Sequence, residues 1–280
     1  MSNESENRKP QLHVSMLDMF ARCGIAGQRR FGHLFGIWHE CEIVPPGVAL
    51  ITGTATHKAV EHDLRHLLQH GTLASLEELH DVARDAVYDR VETEGLTVTD
   101  DEAEDVEKAI GGAMDMAVQL STLHHTEVAP SLRPISIEQP FVIEMPGFPI
   151  DLAGQKDIVE VGRIRDTKTS KTAPALHEAR TMQTAMYSLS YEREHGQWPD
   201  EVSLDYLVKT KTPKYVQIAS RPDETWVAPL FRRIERFIET IDAVKAGHQA
   251  LTPADPTSWQ CTARYCGYAK TCPFWSGREK

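Results

Sequence analysis

The sequence of 280 residues predicts an α/β (α+β) core with helical insertions, and three observations predict it. Apolar residues recur at helical spacing from about Thr54 to Leu123, and from about Pro134 the pattern changes to alternation rich in Ile and Val. A proline-, aromatic- and cysteine-rich tail without clear periodicity then closes the chain. The order is helices, three strands, a helix, two strands, a helix and the tail, which reads as one layered core. Residues 1–14 are expected as a flexible tail, 15–130 as a helical region, 131–250 as the strand-containing core and 251–280 as a cysteine module.

Taken in order, Met16, Leu17, Phe20 and Ile25 around Cys23 suggest a short helix and turn. Helices over 54–69, 73–94 and 101–123 are separated by His70-Gly71-Thr72 and by Gly95. Gly111-Gly112 argues against the third being unbroken. Strands follow over 135–145, 148–161 and 162–170, with turns at Pro146-Gly147 and near Gly162. A helix over 175–195 carries Leu176, Met182, Met186 and Leu189. Strands over 201–209 and 214–220 flank Thr212-Pro213, and a last amphipathic helix runs over 223–246 with Gly247 as its stop.

Composition excludes several classes. With 41% hydrophobic residues and 30 Lys+Arg against 41 Asp+Glu (net charge −11), the chain has material for a core, unlike a disordered or collagenous one. The acidity argues against a broad basic surface that coats nucleic acid, though a local basic channel is compatible with it. The longest uncharged stretch, 43–56, is too short for a membrane span and contains Pro45, Pro46, Gly47 and Gly53. A polar N-terminus without an apolar signal core sets the expectation of a cytoplasmic protein. Five cysteines, an odd number, then read as reduced thiols rather than disulfides.

Chemistry concentrates on one strand pair. Asp157 and Asp166 are equidistant from a turn centred between Val161 and Gly162, so a hairpin with that centre sets them opposite each other. Two facing carboxylates repel unless a cation lies between them. Lys168, two residues past Asp166, shares its strand face. Asp, Asp and Lys together suit metal-assisted phosphodiester hydrolysis, with hard oxygens for Mg²⁺ or Mn²⁺ and an amine for developing charge or the attacking water. As a base, Lys168 needs a lowered pKa. Alone, the string also reads as a surface hairpin with one salt bridge. His57 is expected in the first turn of a helix opened by Gly53, with Glu61 one turn on to orient it or approach the metal; a surface or capping role is its alternative. Gln183 and Tyr187, four apart, share one helix face that holds a nucleotide or is ordinary surface.

Cys261, Cys266 and Cys272 have the spacing C-x4-C-x5-C, and a fourth ligand is needed to close a tetrahedral or cubane site. Cys23 and Cys41 are the available thiols, and either ties the N-terminus to the C-terminus like a clasp. Three clustered cysteines plus one remote suit an iron–sulfur cluster better than the paired C-x2-C of a zinc ribbon; Zn²⁺ and free buried thiols remain the alternatives.

These motifs jointly resemble the RecB-like branch of the PD-(D/E)XK nucleases, and most of all members with a four-cysteine iron–sulfur cluster, such as CRISPR-associated adaptation nucleases and the AddB nuclease domain. The resemblance runs from Ser15-x-Leu17-x-x-Phe20-x-x-Cys23 through Gly53-x-x-x-His57, Gly154-x-x-Asp157, Asp166-Thr167-Lys168-Thr169 and Gln183-x-x-x-Tyr187 to Cys272-Pro273. It implies a restriction-endonuclease-like central mixed sheet flanked by helices, with 131–250 as the nuclease core. It implies that His57, Asp157, Asp166 and the Thr167 carbonyl bind the metal. Lys168 then acts at the water, and Gln183 and Tyr187 support the DNA or the lysine. Cys23, Cys261, Cys266 and Cys272 hold a 4Fe–4S cluster, leaving Cys41 outside the pattern. Two departures stand out: Gln155-Lys156 where the family often has an apolar residue, and a first cysteine gap wider than C-x2-C.

The function expected is a metal-dependent DNA exonuclease in recombination, repair, phage replication or CRISPR adaptation. The alternative is a non-catalytic DNA-binding or assembly subunit. No helicase-type phosphate loop is present, so a helicase, annealing protein or integrase would be a separate partner. Arg29, Arg30, Lys171, Lys209 and Lys211 are the expected DNA contacts, with Lys214, Arg232, Arg233 and Arg236 as a further rim. Tyr265, Tyr268, Phe274 and Trp275 beside the cysteines either stack bases or pack the cluster's apolar shell.

Overall fold

A computed structural model describes residues 8–175, 177–263 and 265–277. Leu176, expected on a helix face, and the first seven residues of the expected tail lie outside the described residues. The chain opens with β1 (Gln11–Leu12), α1 (Val14–Arg22) and α2 (Gly24–Phe31). A helical segment follows: α3 (Val48–His70), α4 (Leu76–Glu94), α5 (Asp100–Ala103) and α6 (Val106–Leu123). Then come β2 (Ser136–Ile143), β3 (Asp151–Glu160), β4 (Arg163–Ser170), α7 (Met182–His195), β5 (Glu201–Val208), β6 (Lys214–Ser220) and α8 (Val227–Lys245).

Helix starts depart from expectation for local reasons. Gly47, extended after two prolines, is the N-cap of α3, so the helix begins at Val48 rather than near Thr54. His57 therefore stands in the third turn, not the first. The Thr52 and Thr56 hydroxyls donate to the carbonyls of Val48 and Thr52, at 2.9 and 2.8 Å, which satisfies a polar run inside the helix. The helix expected over 101–123 does break, but at Asp105, whose carboxylate accepts from the Lys108 amide at 2.9 Å and caps α6. Gly111 and Gly112 lie within α6, and a Cβ at either would meet nothing within 4 Å. The helix expected from 175 starts at Met182, because Thr181 and Thr184 form a capping box there.

One mixed sheet unites the strands. β2 lies antiparallel along most of β3, and β3 turns into antiparallel β4 through the two residues Val161 and Gly162. Gly162 takes φ +72°, which a side chain would strain. β4 runs parallel to β5 through the α7 crossover, and β6 returns antiparallel to β5. Two-residue β1, too short to leave a sequence pattern, pairs with Asp151 and Leu152 of β3, on the edge that β4 occupies further along.

Helices cover both faces. On one, α1, α7 and α8 bury Leu17, Met186, Leu189, Leu230, Ile234 and Phe237 against Leu152 and Ile164 of the sheet. On the other, α3, α4 and α6 pack closely through the small side chains of Ala55, Ala59, Ala83, Ala113 and Ala117. Val60 and Leu64 of α3 meet Ile137 and Ile158 of the sheet. The tail folds back on the N-terminal helices. Gly24 donates its amide to the Thr252 carbonyl at 2.8 Å, and the Tyr268 hydroxyl donates to the Glu42 carbonyl at 2.7 Å. No helix among the described residues is long and apolar enough to cross a membrane.

Lys156 shows how the fold accommodates a charge at a position expected to be apolar. Its side chain is wholly buried, with Nζ 5.5 Å from the Phe141 ring centroid and 2.8 Å from both Glu194 carboxylate oxygens. Removing one partner of such a pair costs more than replacing the buried charge by an apolar group of similar volume. Glu194→Ala is expected to destabilise the chain by about 3 kcal/mol, because the buried ammonium loses its counter-charge and keeps only the Ser190 hydroxyl, at 3.2 Å. Lys156→Met should come out near neutral. Urea denaturation of both variants checks the order.

Candidate metal centre and active-site cleft

The β3–β4 ladder ends at the pair Ile158↔Arg165, one step before the register would set Asp157 against Asp166. There the Asp157 carboxylate takes the place of a backbone acceptor, receiving the Thr167 amide at 2.9 Å. The strands part, and the carboxylates lie in the opening. On the other edge of β3, pairs Ile137↔Ile158 and Gln139↔Lys156 bracket Glu138 and put it beside Asp157. Glu138 takes φ +49°, a left-handed conformation that costs a non-glycine residue roughly 1–3 kcal/mol. Its carboxylate accepts from Gln155 Nε2 at 2.6 Å. From α3, His57 Nδ1 comes within 3.6 Å of Asp157 Oδ2, and the imidazole hydrogen-bonds the Thr167 backbone. His57, Glu138 and Asp157 each offer a ligand atom within 4.8 Å of the other two.

Asp166 belongs to a second, adjoining set. Lys168 Nζ lies 3.0 and 2.8 Å from its two carboxylate oxygens and donates to Gln183 Oε1 at 2.7 Å. Gln183 Nε2 donates to the Tyr187 hydroxyl at 2.6 Å, and that hydroxyl lies 3.5 Å from Asp166 Oδ1. The i, i+4 spacing on α7 thus closes a ring of four side chains. Asp166 Oδ2 is buried and, outside hydrogen-bond geometry, has the Lys168 ammonium as its cation at 2.8 Å. The Glu138 and Asp157 carboxylates and the His57 imidazole, with the Asp166 carboxylate adjoining, make a mostly hard-oxygen donor set, which fits Mg²⁺ or Mn²⁺. Glu61 instead holds Lys58 and Arg65, at 2.8 and 2.9 Å.

Electrostatics follow from this crowding. Burial pushes Asp157 up to about 6, against the opposing pull of Lys168 and the Thr167 amide. Burial and the neighbouring Asp157 push Asp166 up to about 7. Burial, Asp157 and Glu61 raise Glu138 to about 7. Burial works to lower Lys168, but Asp166 and Asp157 outweigh it and hold the ammonium above its ordinary value. Lys168 therefore stands as a fixed cation and lacks the lowered pKa of a base. His57 is held below its usual value, chiefly by burial, and so offers the neutral form that binds metal.

His57, Glu138, Thr167 and Lys168 line a cleft of about 740 Å³ that also includes Lys171 and Lys209. Other expected contacts lie elsewhere. Arg29 is committed to Glu42, to Thr271 at 2.8 Å and to the Tyr268 ring at 4.7 Å, so it works as a strut. Lys211 is exposed near the β5–β6 turn and lines neither this cleft nor the cysteine cavity. Arg233 pairs with Asp18 at 3.5 Å, and Arg236 lies 3.8 Å from Glu239. Cys23 and the three tail cysteines line a neighbouring cavity of about 740 Å³, along with Arg30; Cys41 is exposed and outside it. Burial first, then the other three thiols, raises Cys266.

Sequence reasoning missed Glu138. No motif spacing marks it, but the register of the first hairpin does: a turn near Gly147 and Phe148 sets residue 138 opposite 157.

A parted strand pair with acidic groups in the gap and a lysine two residues on is the arrangement of a metal-dependent nuclease core. The profile of the PD-(D/E)XK nuclease superfamily matches residues 14–273, and the chain belongs to that superfamily. Among solved structures, a candidate exonuclease from Eubacterium rectale is similar at a TM-score of 0.54 and 15% identity, over 90% of each chain. The protein SSO0001 aligns at 16% identity over 89% of this chain and 95% of its own, with a TM-score of 0.35, below what a shared fold requires. No curated protein matches the chain.

Raised carboxyls have a consequence for stability. Between their ordinary values near 4 and the raised ones at about 6 to 7, the metal-free folded chain binds more protons than the unfolded chain. Their contribution is therefore present at low pH and lost as pH rises through 6 to 7. Scanning calorimetry should show the metal-free Tm falling from pH 6 to pH 8 and Mn²⁺ restoring it more at pH 8. Asp166→Asn should flatten that dependence; equal Mn²⁺ shifts at both pH values would contradict it.

Proposed function

We propose that this chain is a divalent-metal-dependent deoxyribonuclease that hydrolyses phosphodiester bonds at DNA strand ends. The observation that carries the reading is the parting of β3 and β4 at Asp157, which gathers acidic groups beside a lysine held from two sides. Superfamily membership supports hydrolysis of nucleic acid, and the name of the Eubacterium rectale relative supports the exonuclease assignment.

In this reading His57, Glu138, Asp157, Asp166 and the Thr167 carbonyl hold Mg²⁺ or Mn²⁺. When bound, the ion polarises the phosphate and lowers the pKa of water. Lys168, kept charged by Asp166, steadies charge developing on the phosphate and orients the attacking water. Gln183 and Tyr187 are positioning residues: the amide fixes the ammonium, and the phenol fixes the amide. Lys171 and Lys209 at the cleft wall take flanking phosphates.

We assign Cys23, Cys261, Cys266 and Cys272 to a 4Fe–4S cluster in preference to Zn²⁺. Three clustered cysteines at C-x4-C-x5-C and one remote cysteine, all lining one cavity, suit a cubane better than the paired C-x2-C of a zinc ribbon. The clasp joins α2 to the tail beside the cleft, since both cavities share Ala49, Leu50 and Lys171.

Labelled single- and double-stranded DNA incubated with Mn²⁺ tests the activity. Asp157→Asn, Asp166→Asn and Lys168→Ala should each lose at least about 10²-fold in rate with unchanged circular dichroism. Wild-type cleavage by any of them sinks the site. Anaerobically purified protein should be brown and lose its colour in Cys266→Ser; a colourless, zinc-loaded preparation would replace the cluster.

A further inference from the structure

Three large rings on the cysteine module stay in solvent. Trp259 is 63% exposed, Tyr265 59% and Phe274 45%, although the same segment buries Tyr268 to 8%. Trp259 and Tyr265 pack edge to face, with centroids 5.0 Å apart, so their arrangement is fixed before any ligand arrives. All three line the cysteine cavity, together with Arg30. That cavity borders the metal cleft, with Ala49, Leu50 and Lys171 in the walls of both.

Lys171 and Lys209 both line the cleft wall at this junction, and Lys209 is held below its ordinary value by burial first and then by the charge of Lys171. Neither makes an ion pair among the described residues; Lys209 donates to the Ala49 carbonyl at 3.3 Å. The groove's acids are already engaged, Glu61 with Lys58 and Arg65, and Glu102 with the Thr99 amide at 2.8 Å. In a chain of net charge −11, two lysines without an ion pair among the described residues, set between an acidic cleft and three exposed rings, mark a path for an anion with apolar faces.

We propose that Trp259, Tyr265 and Phe274 form a platform on which successive unpaired bases stack, with Lys171 and Lys209 holding the phosphates between it and the metal cleft. The occupant is a single strand of nucleic acid, because a duplex keeps its base faces covered. The proposal rests on the nuclease reading and narrows its substrate to strands with an unpaired stretch.

Fluorescence anisotropy with the full chain in EDTA separates binding from cleavage. An oligothymidylate of twenty nucleotides should bind more tightly than a blunt duplex of equal length. Each of Trp259→Ala and Phe274→Ala should weaken strand binding about ten-fold, with Trp259→Phe restoring most of it. Lys171→Ala should lower the slope of log affinity against log salt by about 0.7. With Mn²⁺, a nitrophenyl nucleotide ester, which reaches the cleft but not the platform, should be hydrolysed equally by wild type and the ring variants. Strand affinity unchanged in both ring variants overturns the platform and leaves the patch to a protein partner, while the nuclease reading stands. Equal affinity for strand and duplex also overturns it. Hydrolysis of neither substrate by the wild type overturns the nuclease reading itself.

Discussion

Where a β-ladder would continue, the Thr167 amide is received by the Asp157 side chain instead, at 2.9 Å. That substitution of carboxylate for carbonyl lets β3 and β4 part without leaving the amide unpaired, which burial would otherwise penalise. It also brings Asp157 and Asp166 together in a pocket that excludes most water, with Glu138 on the far side of β3. Burial raises all three above the ordinary carboxylate range, and the charge of Asp157 adds to it at Asp166 and Glu138. Folding therefore leaves an unsatisfied preference for positive charge, and Lys168 meets only part of it.

The surrounding scaffold holds that arrangement in place. Gly53 lets α3 approach β4, since a Cβ there would lie 3.0 Å from Thr169 Oγ1, and this approach delivers His57. Gly154 does the same on the opposite face, where Phe141 and Met186 fill the space a side chain would take. Met186 lies on α7, so the close packing also fixes Gln183 and Tyr187 over Lys168. The β4–α7–β5 crossover is thus a structural unit and a support for one ammonium group. Small residues at these contacts decide where the polar ones end up.

Much of this was legible in the residues, for identifiable reasons. The hairpin centre between Val161 and Gly162 followed from symmetry and matches the observed turn, but the ladder stops at Ile158↔Arg165, one step short of Asp157 and Asp166. The order of the longer strands followed from alternation, and their union in one mixed sheet is what the family resemblance implied. Other features were hidden because they depend on tertiary neighbours. His57 was set in the wrong turn because Gly53 resembles a helix start, while Gly47 is the cap. Arg29 reads as a free cation in sequence, yet Glu42, Thr271 and Tyr268 surround it only after the tail folds back. The separation of Tyr268, which is buried, from Tyr265 and Phe274, which are not, had no sequence signal at all.

The central claim is that the gap beside Asp157 is built for a divalent ion. A crystal soaked in Mn²⁺ and measured at the manganese absorption edge tests it most directly. A strong anomalous peak should lie among His57, Glu138, Asp157 and Asp166, with oxygen ligands at about the distances of hard cations. Manganese found only elsewhere, with those four side chains unmoved, would contradict the account.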